Sequence, residues 1–272
     1  MRYRWIAAAS KLVGDRKSPR SIAAEFDLYT LPEGGKANGY TGDDLELELS
    51  RQVDQRIPGI CVGASQAVGG HVSDQALERD IVWLMKTFVA RSPMTLARQE
   101  AAVVDTMAKH RGTIERMLER VQSDELRAEI LGFQDPRMPK VAARAGLAVA
   151  MSADILRKEG WLEGDVHLVR DVDVKPYLRG IGTEEFVTFE DPVVEWKDDS
   201  GFGLIASFSL SPSVLVLIVE RGAEVRVENY ESVSLHHTLA PLSTRSNLIC
   251  QTEPTGHLYE WAKKLRPSVA NR

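Results

Sequence analysis

The sequence predicts an α+β protein, with an N-terminal helical layer followed by a mainly antiparallel sheet and a C-terminal helix. Three observations predict it. Apolar residues recur at helical spacing before about Gly160. Two-residue alternation governs the chain after Gly164. Helices and strands do not interleave as βαβ units, which argues against a parallel α/β sheet. With 272 residues, 43% of them apolar, the chain can bury a real core as one large domain or two small ones. The change of pattern at Gly160–Gly164 is the boundary candidate. It separates a helical region, 43–160, from a β-rich region with a C-terminal helix, 161–272. One compact domain fits the same pattern.

Residues 1–42 read as an irregular segment, punctuated by Pro19, Pro32, Gly34, Gly35, Gly39 and Gly42. A short strand fits Glu25 to Thr30. Asp43-Asp44 caps a helix carrying Leu45, Leu49 and Val53, and Pro58-Gly59 ends it. Gly63 to His71 is small and Gly-rich, and reads as a loop. Ser73 or Asp74 starts a helix with Leu77, Ile81, Leu84, Met85 and Phe88 on one stripe. Ser92-Pro93 closes it and opens the next, since proline suits a first turn. That helix runs towards His110, Gly112 breaks it, and Thr113 starts another with Ile114, Met117, Leu118 and Val121 inward. Asp135-Pro136 and Pro139 mark a break before a helix over Lys140 to Glu159.

Strands are expected at Val166–Val174, Glu185–Trp196, Phe202–Leu210 and Ser213–Glu220, with further pieces at 223–229 and 247–251. The continuous apolar run from Val214 to Val219 is the pattern of a buried strand. Ser211-Pro212 makes the turn of a hairpin. Gly256 to Leu265 reads as the C-terminal helix, with Leu258, Trp261, Ala262 and Leu265 inward.

The bulk numbers exclude some function classes. The net charge is −5, and no Lys/Arg run dominates, so nucleic-acid binding is not supported. No segment approaches the ~20 apolar residues that span a bilayer, so a cytoplasmic protein without a membrane partner is expected. The apolar run after Arg2 and Arg4 stops at Ser10-Lys11, short of a signal peptide. Cys61 and Cys250 belong to no CxxC pair and read as reduced thiols.

Walker, GxGxxG, GxSxG and HExxH motifs are absent. One arrangement has chemical content. Many metal-dependent nucleases place an Asp on one strand and Glu-x-Lys on the next, the carboxylates holding Mg²⁺ and the Lys orienting water. Asp171 and Asp173 sit on the first expected strand, and Glu195-Trp196-Lys197 ends the following one. Asp173, Glu195 and Lys197 are thus the candidate catalytic set, with Asp173 and Glu195 as metal ligands. The ordinary alternative is solvated charge at a strand edge. No cofactor is predicted outside that reading. His236-His237, taken as strand residues, point to opposite faces and do not share a metal. His110 reads as a helix-terminal residue.

Short motifs then bring a family into view. Phe88-Val89-Ala90-Arg91-Ser92-Pro93 follows an apolar helix. Phe186-Val187-Thr188-Phe189-Glu190-Asp191-Pro192-Val193 forms a strand–turn segment, and Leu210-Ser211-Pro212 precedes a strand. In this order, over roughly 25 to 230, the chain resembles the bacterial family called domain of unknown function 4238. The resemblance implies no activity. Family members begin with a His-Tyr-x-Pro segment, where this chain has Arg2-Tyr3-Arg4-Trp5-Ile6, and Thr-Ser-Asp-Asn-Pro has become Thr188-Phe189-Glu190-Asp191-Pro192. From the residues themselves, Asp191-Pro192 is a turn that redirects a strand. A polar binding site at the helix–sheet junction would draw on Arg91, Glu190, Asp191 and His236. The leading expectation is a non-enzymatic binding or regulatory module. The alternatives are a Mg²⁺-dependent, nuclease-like hydrolase and a degenerate member that has lost its catalytic residues.

Overall fold

In the computed structural model, which describes residues 2–6, 11–15, 36–37, 40–67, 69–132, 135–152, 162–189, 191–196, 203–242 and 247–265, the chain opens with a hairpin where an irregular segment was expected. β1 (Arg2–Ile6) and β2 (Lys11–Asp15) pair antiparallel. The run Tyr3-Arg4-Trp5-Ile6 is rich in strand formers, and the Pro and Gly around it hid that signal. β3 (Lys36–Ala37) and β4 (Tyr40–Thr41) form a second short ladder. The strand expected at Glu25–Thr30 lies outside the described residues.

α1 (Asp44–Leu49) buries Leu45 and Leu49 and continues into a π-helical turn, Ser50–Asp54, that buries Val53. Pro58 does not end this helix. It sits in the first turn of α2 (Ile57–Gln66), where its missing N–H has no helical partner to lose. The expected Gly63–His71 loop is therefore helix up to Gln66, and β5 (Gly70–His71) follows. Gly63 has a packing role. A Cβ there would come 3.1 Å from Leu77 Cδ1, so the bare backbone lets α2 approach α3 (Gln75–Ala90). Asp74 caps α3, its Oδ1 accepting from Ala76 N at 2.8 Å. α4 (Pro93–Arg120) is capped by Ser92 and runs unbroken through Gly112. One glycine costs about 1 kcal/mol relative to alanine, too little to stop a long helix. His110 is consequently an exposed mid-helix residue rather than a terminal one. α5 (Asp124–Gly132) and α6 (Met138–Ser152) follow, with Pro139 in the first turn of α6.

The strand expected over Val166–Val174 stops at Arg170. β6 (Asp165–Arg170) gives way to α7 (Asp171–Ile181), whose first turn carries Asp171 and Asp173 against the positive end of the helix dipole. Gly182, at φ +96°, terminates it. The expected Glu185–Trp196 strand is two strands, β7 (Thr188–Phe189) and β8 (Val193–Glu195), separated at Asp191-Pro192. β9 (Leu204–Ser211) and β10 (Val214–Val219) form the predicted hairpin. Where a strand was expected over 223–229, the chain instead enters α8 (Val227–Leu242). β11 (Asn247–Ile249) and α9 (Gly256–Leu265) complete the described chain. Leu258 and Ala262 of α9 are buried, but Trp261 is exposed beneath the Lys264 ammonium.

The chain divides into two units, Met1–Glu25 with Arg56–Val89 and Glu159–Arg272, and Phe26–Gln55 with Ala90–Lys158. The helical region thus contributes to both units. In the first, a five-stranded antiparallel sheet runs β5-β6-β10-β9-β8, and a four-stranded sheet runs β2-β1-β11-β7. The Asp191-Pro192 turn carries the chain from the smaller sheet to the larger. β10 is central and buried at every position, as its apolar run requires. On one face of the larger sheet, Phe88 of α3 packs on Phe208. On the other, Val169, Leu215, Leu217 and Val219 meet Val174, Leu178 and Ile181 of α7 and Tyr230 and Val233 of α8. Across the smaller sheet, Phe189 and Leu248 pack with Leu258 of α9. In the second unit α4 packs against α6, where buried Arg144 bonds Glu100 Oε1 at 2.8 Å.

Candidate functional site

On the α7/α8 face of the larger sheet the buried polar positions include His167 of β6 and two serines of β9. Ser207 stands opposite Leu217 and Ser209 opposite Leu215, so both serines share the face of those leucines. α8 delivers His237 between them. Its buried positions Tyr230, Val233, Ser234, His237 and Thr238 follow helical spacing. His237 is 0% exposed, and its Nδ1 lies 2.9 Å from Ser207 Oγ, its Nε2 2.8 Å from Ser209 Oγ. Ser209 Oγ donates to the Val187 carbonyl at 2.7 Å, and Trp196 Nε1 donates to Ser207 Oγ at 3.1 Å.

The indole N–H can only donate, so Ser207 Oγ accepts from it. Ser209 gives its proton to Val187, so its remaining contact with His237 Nε2 is as an acceptor, and Nε2 also lies 3.3 Å from the Val187 carbonyl. Hydrogen bonds thus link Trp196, Ser207, His237, Ser209 and Val187 in one continuous network. At the outer end, exposed His236 stacks on Trp196 with ring centres 3.9 Å apart and planes at 33°. Desolvation holds the His236 pKa below its ordinary value. Thr238 Oγ1 is buried beside this network with no hydrogen-bond partner.

The Ser207–His237 distance is that of a nucleophile and its general base. The surroundings are not. Both groups are sealed from solvent, the serine oxygen already takes the indole N–H, and the second ring nitrogen is held by a hydroxyl rather than a carboxylate. The chemistry that remains is structural. The chain of bonds fixes α8 to β9, to the Val187 segment and to Trp196.

Asp173 and Glu195 do not come together. Glu195 stands opposite Ala206, which stands opposite Ile218, on the face that carries Phe208. Asp173 belongs to α7 on the opposite face, its Oδ2 lying 3.5 Å from where a Gly69 Cβ would sit. β8 is an edge strand, separated from β6 by β9 and β10. The expected strand would have made these carboxylates neighbours, and the helix that begins at Asp171 removes that geometry. Lys197 and Glu190 lie outside the described residues. Among the described residues, no three His, Cys, Asp or Glu side chains gather where a metal ion could sit. Arg91 belongs to the second unit, where it pairs with Asp54 at 2.9 Å, whereas Asp191 and His236 belong to the first. Asp191 is buried at its turn.

Sequence reasoning missed Ser207, Ser209 and His237 as a group. The spacing 230, 233, 234, 237, 238 was available, but three of those five residues are polar, which erases the apolar stripe that marks a helix. Elsewhere, Cys61 and Cys250 form no disulfide. Burial, and next the Glu185 carboxylate, push Cys250 up to about 12. Among the described residues no helix is long and apolar enough to cross a membrane. Comparison of the chain with family models, curated proteins and solved structures finds no match.

Proposed function

We infer that this chain is a non-enzymatic binding or regulatory module. The observation that carries the reading is the burial of the Ser207–His237–Ser209 network, in which both ring nitrogens lie within hydrogen-bond distance of a serine hydroxyl and neither Ser207 nor His237 meets solvent. A kinship with the domain of unknown function 4238 family belongs to the same proposal and rests on the motifs around Arg91, Asp191 and Pro212. So do a bacterial source and a cytoplasmic location, the latter supported by two cysteines that form no disulfide. The net charge of −5 argues against a nucleic-acid partner. Nuclease and phosphatase assays with Mg²⁺ and Mn²⁺ test the reading. Rates equal to the buffer blank are expected. A metal-dependent rate abolished by Glu195→Gln or Asp173→Asn would establish the hydrolase instead.

A further inference from the structure

His71 and His167 stand opposite each other across the β5–β6 ladder, so both imidazoles lie on one face of the sheet. Their ring centres are 5.4 Å apart with planes at 74°. His71 is exposed. His167 is 7% exposed, and its Nδ1 is buried with no hydrogen-bond partner. Buried polar atoms are seldom left in that state. In the tautomer protonated at Nε2, Nδ1 presents a lone pair into the interior that a metal ion can take.

The spacing fits an ion between the rings. With metal–nitrogen bonds of about 2.0–2.1 Å and tetrahedral angles, two imidazoles on one ion hold their centres roughly 5 Å apart. β5 is an edge strand, which leaves the His71 side open to solvent. No third His, Cys, Asp or Glu joins the pair among the described residues, so water would fill the remaining positions. Imidazole donors select zinc, copper or nickel over magnesium or calcium. We propose that His71 and His167 form a two-imidazole site for a divalent transition-metal ion of the zinc class.

Calorimetric titration of the full chain with Zn²⁺ at pH 7.5 tests this. Saturable binding of one equivalent is expected, weakened at least tenfold by His71→Asn and by His167→Asn, and changed less than twofold by His110→Asn. Exposed His71 can be replaced without disturbing the core, so that variant is decisive even where His167→Asn fails to fold. Side-chain ¹H–¹⁵N spectra supply a second readout, in which Zn²⁺ shifts the nitrogens of His71 and His167 first. Absence of saturable binding, unaltered affinity in His71→Asn, or first shifts at other histidines would each overturn the site.

Discussion

At the scale of single residues, the structure turns on whether buried polar atoms have partners. Ser207 serves two, the Trp196 indole and the His237 ring. Ser207→Ala removes the hydroxyl that meets the Trp196 Nε1–H and the His237 Nδ1, and the expected loss is about 1–3 kcal/mol in urea unfolding. A double-mutant cycle with His237→Ala should show that the two losses are not additive, because the residues act as one chain. Cys250 offers a test by pH. Its thiol moves from an ordinary value near 9 up to about 12 in the fold. Between those values the unfolded chain releases a proton that the folded chain keeps. Stability should thus fall as pH rises through that window, by up to roughly 1.4 kcal/mol per unit, and Cys250→Ala should remove this component. At pH 8 the native thiol should resist a disulfide reagent that reacts once urea unfolds the chain. None of these roles was legible in the sequence, where Ser207 and Ser209 look like ordinary polar positions of an alternating strand.

Elements were more legible, and the failures have physical causes. The β9–β10 hairpin was readable because an alternating strand and an apolar strand flank one Ser-Pro turn. α8 was not, because its inner face carries Ser234, His237 and Thr238. α7 was hidden because Val166 to Val174 alternates acceptably as a strand, while the helix is set by the acidic first turn and by Gly182. Two glycines separate conformational need from tolerance. Gly182 holds φ +96°, and a Cβ there would lie 2.6 Å from Leu258 N, so Gly182→Ala should cost roughly 2 kcal/mol or more. Gly112 sits mid-helix with nothing within 4 Å of an added Cβ. Gly112→Ala should raise stability by about 0.5–1 kcal/mol, read as a higher urea midpoint.

At the scale of the whole molecule, the shift from helical to alternating periodicity near Gly160 did mark the α+β class, because periodicity reports which face each element buries. It did not reveal two units interleaved along the sequence: the crossing at Lys158/Glu159 lies beside the change of pattern at Gly160, but those at 25/26, 55/56 and 89/90 fall where no change of periodicity marks them. Nor did it reveal that Asp173 and Glu195 sit on opposite faces, which depends on strand order and not on spacing. The central claim is that the buried serine–histidine chain is structural and turns over no substrate. Incubating the folded chain with a fluorophosphonate and weighing it by intact mass spectrometry tests this most directly. An unmodified mass is predicted after prolonged exposure. A stoichiometric adduct on Ser207 or Ser209, lost in the corresponding alanine variant, would contradict it.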